Sequence, residues 1–322
     1  MTLQVNVDAR NGVPVPGLTA ADFKLFDNKK PQPITSFHEV KNQPTRIVVV
    51  LDAVNLPYTE VSFARQQLAQ FFAANGGKLA QPTALGVLVD SGMQVQPSFT
   101  TDGNALRASL DHFTIGLREL PRSTGVYGAE QRLEISLTMM KALIAQLPKD
   151  GPKRIIWVSA GWPLLSGPEV ELNPSMRSSV FNDVVTLMTE LRKLHIAVDC
   201  VNPLGASQDV ATTDYYENFL HAPHSLRDVE LGNLGIQVLA VDSGGLVLNG
   251  SNDIAGLIQQ AVQQSEDFYE ISFVPAPGEH DNEYHELQLK VDRPGLTVHT
   301  TAGYYARPVY PPLASPRLTP AS

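Results

Sequence analysis

Two patterns of apolar residues divide the chain. Residues 3–8 and 284–291 alternate apolar with polar side chains, which is typical of strands that bury one face. Between these ends, the run from Ile47 to Leu51 is continuously apolar, as expected for a parallel strand covered by helices on both faces. The sequence therefore predicts an α/β region in the middle of the chain and antiparallel strands at both ends.

The middle region alternates strand patterns with helix patterns. Helices are predicted from the spacing of apolar residues at 59–74, 104–113, 128–147, 176–194, 226–240 and 253–267. Residues 84–89 predict a second parallel strand, and residues 93–97 a short antiparallel edge strand next to it. Strands that alternate with helices build a doubly wound, mostly parallel sheet, so this fold class is predicted, with one antiparallel edge strand.

The two ends of the chain need each other. Neither residues 3–40 nor residues 269–305 can bury their apolar faces alone, so we predict that they pair into one small antiparallel β-domain. The predicted organisation has four parts: N-terminal strands in 1–44, an α/β domain in 45–268, C-terminal strands in 269–307 and a Pro-rich tail in 308–322.

Composition argues against two classes of partner, nucleic acids and membranes. The formal net charge is -9, so no chain-wide basic field attracts phosphate backbones, and we predict no nucleic-acid binding. The apolar runs are too short to cross a bilayer, which predicts no transmembrane segment. A strand pattern begins at Leu3 without a signal region before it. We therefore expect that an export signal has been removed and that the protein is secreted, periplasmic or at the cell surface.

The order of these elements, with an antiparallel edge strand after the second strand, resembles the von Willebrand factor A (vWA) fold over roughly residues 45–268. Two segments outside this region make the resemblance more specific. Residues 11–23 (NGVPVPGLTAADF) and residues 269–275 (YEISFVP) are similar to the opening and closing motifs of the VWFA-related domain family of acidobacteria. The motif Gly303-Tyr304-Tyr305-Ala306 matches the same closing region. The resemblance implies fold more than function.

In vWA domains a divalent cation binds at the carboxyl ends of the parallel strands. The family pattern is Asp-x-Ser-x-Ser after the first strand, a Thr before a later helix and an Asp after the fourth strand. Asp52 matches the first aspartate, but Val54 and Leu56 stand at both serine positions, and Asn55 is one residue off the pattern.

The resemblance places two more residues at this site. Thr124 matches the threonine, and Ser159 stands where the second aspartate is expected. The candidate metal ligands are therefore Asp52, Asn55, Thr124 and Ser159, a degenerate metal-ion-dependent adhesion site. With a single carboxylate it would hold Mg²⁺ weakly at most, so no cofactor is predicted. In the alternative interpretation, Asp52 binds no cation and caps backbone amides at the strand-to-helix turn.

Aromatic residues follow the same strand ends. Tyr58 and Trp162 are expected on the upper surface of the sheet, and Tyr215 lies in a polar loop on that side. Exposed aromatic side chains there could anchor a partner, whereas in the alternative they cover the open end of the core. We therefore predict a non-catalytic protein-interaction or adhesion module that binds a protein at this edge.

Two other functions stay open from the sequence. One is a structural component of an envelope or secreted assembly, in which the β-domain makes the contacts. The other is a metal-dependent hydrolase, which would need paired carboxylates or a nucleophile with a base. Neither is evident, and Ser159-Ala160-Gly161 lacks the flanking glycines of a nucleophile elbow, so we predict that the protein is not an enzyme.

Overall fold

The fold is described from a computed structural model. It describes residues 1–308 apart from residues 11, 97, 114–118, 120–125, 163–171 and 204–221. The α-helices are α1 (Tyr58–Ala73), α2 (Gly103–His112), α3 (Val126–Gln146), α4 (Pro174–Lys193), α5 (Ile236–Asp242) and α6 (Ile254–Gln263). The strands are β1 (Thr2–Ala9), β2 (Phe23–Asp27), β3 (Lys30–Gln32), β4 (Ser36–Lys41), β5 (Arg46–Asp52), β6 (Lys78–Val89), β7 (Gly92–Val95), β8 (Thr100–Asp102), β9 (Lys153–Val158), β10 (Ile196–Val201), β11 (Val247–Leu248), β12 (Asp267–Ser272), β13 (Glu283–Val291), β14 (Leu296–His299) and β15 (Gly303–Ala306).

The central sheet has the strand order β11-β10-β9-β5-β6-β7. The first five of these strands run parallel, and β7 pairs antiparallel with β6 at the edge. Helices cover both faces, with α3, α4 and α5 on one side and α1, α2 and α6 on the other. The predicted fold class, a doubly wound and mostly parallel sheet with an antiparallel edge strand, is confirmed. The short strand β8 also pairs antiparallel with β6, which the sequence did not indicate.

The two ends of the chain form a β-sandwich. One four-stranded sheet has the order β14-β1-β12-β4 and the other has the order β15-β13-β2-β3, so each sheet mixes strands from both ends. All the pairings are antiparallel. The two sheets bury a shared apolar core that includes Val5, Leu25, Ile271 and Leu289. The pairing of the two ends was predicted on the ground that neither end can bury its apolar face alone.

The sandwich is attached to the amino-terminal ends of the parallel strands. The Asn6 side-chain amide donates to the Gln264 carbonyl, and Thr45 Oγ1 donates to the Ser265 carbonyl at 2.9 Å. On another side, the Tyr305 ring packs edge-on against Phe181 of α4, with ring centroids 5.7 Å apart. The α/β unit and the sandwich therefore share buried contacts, and the carboxyl ends of the parallel strands lie at the opposite edge.

One predicted helix, at 226–240, is wrong in its first ten residues and right from Ile236 onward. Residues 226–240 form two 3₁₀ turns, Leu226–Asp228 and Leu231–Leu234, before α5 begins. The backbone is extended at Val229, and at Gly235 its ψ of 142° is not helical. Glycine favours such breaks because it loses more conformational freedom in a helix than other residues. Within the part of the chain that the structure describes, no helix combines the length and apolarity needed to cross a membrane.

Candidate functional site

The candidate site forms where β5 and β9 end side by side. The two strands pair in parallel with Leu51 opposite Val158, so the next residues, Asp52 and Ser159, are neighbours at the carboxyl edge of the sheet. Both residues are fully buried. The run of apolar residues in each strand fills the space between the two helix layers, and it carries these polar side chains to a position above the core.

Asp52 is enclosed by hydrogen-bond donors. Its Oδ1 accepts from the backbone N–H groups of Val54, at 3.1 Å, and Asn55, at 2.9 Å. Its Oδ2 accepts from Asn55 Nδ2 at 2.8 Å, Trp157 Nε1 at 3.0 Å and Ser159 Oγ at 3.0 Å. The backbone bonds are those of a carboxylate that closes a strand-to-helix turn, the alternative role considered for Asp52.

This arrangement does not fit a cation. A carboxylate offers about four lone-pair positions, and the two oxygens of Asp52 already accept five hydrogen bonds. Asn55 turns its amide N–H toward Asp52, so it does not offer its oxygen at that point. Val54 and Leu56 are buried in the apolar core. Among the described residues there is no group of three or more His, Cys, Asp or Glu side chains that could hold a metal.

Burial and hydrogen bonding act in opposite directions on Asp52. Burial raises the pKa of this carboxyl above its usual value, and the bonds from Asn55, Trp157 and Ser159 lower it by less. The hydrogen bonds therefore compensate the loss of water around the group only in part. Burying the Asp52 carboxylate therefore costs folding free energy. Its hydrogen bonds offset part of this cost and hold the turn before α1.

Ser136 of α3 extends the network and was not among the residues predicted from the sequence. Asn55 Nδ2 donates to Ser136 Oγ at 2.9 Å, and Ser136 Oγ donates to the Arg132 carbonyl at 2.7 Å. A signal was present, since Ser136 is a polar residue on the apolar face marked by Leu133, Leu137 and Met140. A buried serine in such a stripe needs a partner, and here that partner is the turn after β5.

The structure places the other predicted residues differently. Thr124 and Tyr215 lie outside the described residues. The expected exposure of Trp162 is wrong, since its side chain is only 1% exposed and its ring stands edge-on to Trp157 with centroids 5.6 Å apart. An indole buries a large apolar area when it covers the end of a core, which is the alternative considered for this residue. Tyr58 is 67% exposed at the first residue of α1, as expected.

Two further apolar side chains are exposed near this edge. Met176 in the first turn of α4 is 40% exposed, and Leu226 is 47% exposed. Their segments contact each other, and Arg177 Nη1 donates to the Arg227 carbonyl at 3.1 Å. We call Tyr58, Met176 and Leu226 the upper rim. Periodicity does not indicate that Met176 is exposed, because this residue continues the helical spacing of the buried Val180 and Val184.

Comparisons with known proteins bear on the fold alone. No protein-family model matches the chain, and no curated protein matches it. Among solved structures, it is similar to proximal thread matrix protein 1 from the mussel byssus, with 10% identity and a TM-score of 0.33 over 71% of this chain and 49% of that chain. It is similar to the SpRpn10 VWA domain, with 11% identity and a TM-score of 0.31 over 70% of this chain and 97% of that one.

A third similar structure is the manganese-loaded TRAP protein of Plasmodium vivax, with 9% identity and a TM-score of 0.35 over 82% of this chain and 96% of that chain. The chain spans about half the length of the mussel protein. These scores are low, so the fold assignment rests on the strand order and on the antiparallel edge strand described above.

Proposed function

We propose that the protein is a non-catalytic protein-interaction module that captures its partner at the upper rim without a metal ion. The observation that supports this proposal is that both oxygens of the Asp52 carboxylate accept hydrogen bonds from the protein itself. In a metal-dependent adhesion site, the cation joins the domain to an acidic group of the partner. Here the carboxylate oxygen Oδ2 of Asp52 accepts hydrogen bonds from the side chains of Asn55, Trp157 and Ser159, which supports capture without a cation.

Binding at the upper rim would then depend on apolar contacts. Tyrosine is enriched among the residues that contribute most to protein interfaces, because its ring buries a large area with few rotatable bonds. Tyr58, Met176 and Leu226 are the large apolar side chains exposed at this edge among the described residues. The proposed contact surface therefore has three positions, on two helices and a turn.

The state of Ser159 supports a role without catalysis. Its hydroxyl is buried, donates to Asp52 and accepts from the Gly161 N–H at 3.1 Å. A nucleophile needs an accessible oxygen and a neighbouring base, and Ser159 has a buried oxygen bonded to a carboxylate that is itself enclosed. A location outside the cytoplasm is part of this proposal.

Site-specific photo-crosslinking tests the proposal. A photoreactive phenylalanine is placed at Tyr58 or, as a control, at Val274, which is 69% exposed in the β-sandwich. Extracts of the source cells are irradiated with Mg²⁺ or with EDTA. We expect a discrete adduct from position 58 that persists in EDTA and is reduced by Met176→Ala. An adduct that forms only with Mg²⁺, or equally from position 274, would contradict the proposal.

A further inference from the structure

A groove lies at the end of the molecule opposite the upper rim, between the end of α4 and the β-sandwich. It encloses about 390 Å³, which is within the range of about 300–1,000 Å³ found for binding pockets. Thr189, Arg192 and Lys193 of α4 line one side. The opposite side is formed by the segment after β12, with Pro275 and Pro277, and by β15 and Arg307.

The charge of this groove is opposite to that of the whole chain. The protein carries 33 acidic residues against 24 lysines and arginines, yet no carboxylate lines the groove in the described residues, whereas Arg192, Lys193 and Arg307 do. Lys193 pairs with Glu190 at 2.9 Å. Neither Arg192 nor Arg307 has an ion pair within the described part of the chain. Two arginines thus face a cavity without a carboxylate to neutralise them, which favours an anionic occupant.

The groove runs along the edge of β15 instead of one face of it. Tyr304 packs into the sandwich core, whereas Tyr305 packs into the core of the α/β unit, so their side chains point in opposite directions. Both residues nevertheless line the groove, together with Ala306. Consecutive residues of a strand can border one cavity only along the strand edge, where the main chain is presented.

This edge has hydrogen-bonding capacity. Among the described residues, β15 is the outer strand of its sheet and pairs only with β13. Leu287 N–H donates to the Ala302 carbonyl at 2.8 Å, so the bonded pairs alternate from there, and Tyr304 bonds to β13 while Tyr305 does not. The main-chain N–H and C=O of Tyr305 therefore point away from β13. The edge ends at Arg307, whose carbonyl already accepts from the Gly278 N–H.

We propose that this groove binds an extended acidic peptide segment of a partner protein. The peptide adds as a strand to the open edge of β15 at Tyr305, and its carboxylates pair with Arg192 and Arg307. Main-chain hydrogen bonds supply affinity in this mode of recognition, and side-chain contacts supply the preference for acidic sequences. The site is independent of the upper rim, because it lies at the amino-terminal ends of the parallel strands.

Fluorescence anisotropy with a labelled decapeptide of alternating glutamate and valine tests the proposal, beside the same peptide with glutamine in place of glutamate. We expect saturable binding of the acidic peptide, and weaker binding at higher salt. The double variant R192Q/R307Q should bind about tenfold or more weakly for each charge removed, as for the loss of a charge-assisted hydrogen bond. The matched variant R107Q/K149Q, with two exposed cations elsewhere, should bind like the unaltered protein.

Two further arms sharpen the test. Hydrogen exchange at the Tyr305 amide should slow when the acidic peptide binds, because strand addition makes this N–H a donor. Binding without that protection, equal binding of the glutamine peptide, or unchanged binding by R192Q/R307Q would each overturn the proposal. Saturable binding of free glutamate, measured by calorimetry, with no binding of the peptide would also overturn it in favour of a small-molecule site. Tyr58→Ala should leave peptide binding unchanged, so failure here is distinct from failure at the upper rim.

Discussion

Replacing Asp52 by asparagine tests whether this carboxylate is a structural anchor. The side chains have nearly the same shape, but the amide has one acceptor and two donors. If its N–H₂ takes the position of Oδ2, it opposes the donors of Asn55, Trp157 and Ser159. If it takes the position of Oδ1, it opposes the backbone N–H groups of Val54 and Asn55. Either orientation leaves at least two buried donors without an acceptor.

The magnitude follows from the count of unpaired donors. Each buried unsatisfied donor costs about 1–3 kcal/mol, and removal of a buried charge offsets part of this loss. We therefore expect Asp52→Asn to lower the free energy of unfolding by about 3 kcal/mol. Urea unfolding followed by tryptophan fluorescence is a direct assay, because Trp157 and Trp162 are the only tryptophans and both are buried. Trp157 donates to Asp52, and Trp162 packs against Trp157.

The control for this experiment is Asp111→Asn, which changes an exposed carboxylate on α2 and should alter stability by no more than about 0.5 kcal/mol. The unaltered protein should also unfold at the same urea concentration in Mg²⁺ and in EDTA, since a ligand that binds only the folded state would raise its stability. A loss below about 1 kcal/mol in Asp52→Asn would refute the anchoring role. Stabilisation by Mg²⁺ that requires Asp52 would refute the closed site.

Three other predictions concern the buried groups around β10. Burial raises the pKa of Asp242 to about 7, so the folded protein retains a proton that the unfolded chain releases, and stability falls as the pH rises from about 4 to about 7. In urea titrations over this range, the free energy of unfolding of Asp242→Asn should not fall with pH. By pH 7 the variant should have gained about 4 kcal/mol relative to the unaltered protein. Parallel pH profiles of the two proteins would contradict this. In the unaltered protein, Arg154 Nη1 lies 2.7 Å from Asp199 Oδ1. Arg154→Ala should lower the free energy of unfolding by about 3–5 kcal/mol, because it leaves the buried Asp199 without this partner. A normal melting temperature would contradict the importance of the pair. Gly245→Ala should cost about 2–3 kcal/mol in the same assay, since a Cβ there would lie 1.8 Å from the Val198 carbonyl oxygen; unchanged stability would show that the backbone yields.

The sequence by itself determined the layer architecture. Continuously apolar runs such as Ile47 to Leu51 are buried on both faces only between two helix layers. The two chain ends, where apolar and polar residues alternate, can bury their apolar faces only against each other. Residue type also led to the expectation that no cofactor is bound, because Val54 and Leu56 carry no oxygen to donate to a cation. These conclusions need only residue type and short-range periodicity.

Only the tertiary structure decided what surrounds Asp52 and which aromatic residues are exposed. The donors Trp157 and Ser159 lie more than a hundred positions from Asp52 along the chain, 105 and 107 residues respectively, and parallel pairing of β5 with β9 brings them together. Trp162 and Tyr58 both follow strand ends, yet one covers the core and the other faces solvent. Strand register and helix packing act over distances that local patterns do not record, and for that reason they determine which side chains the surface presents.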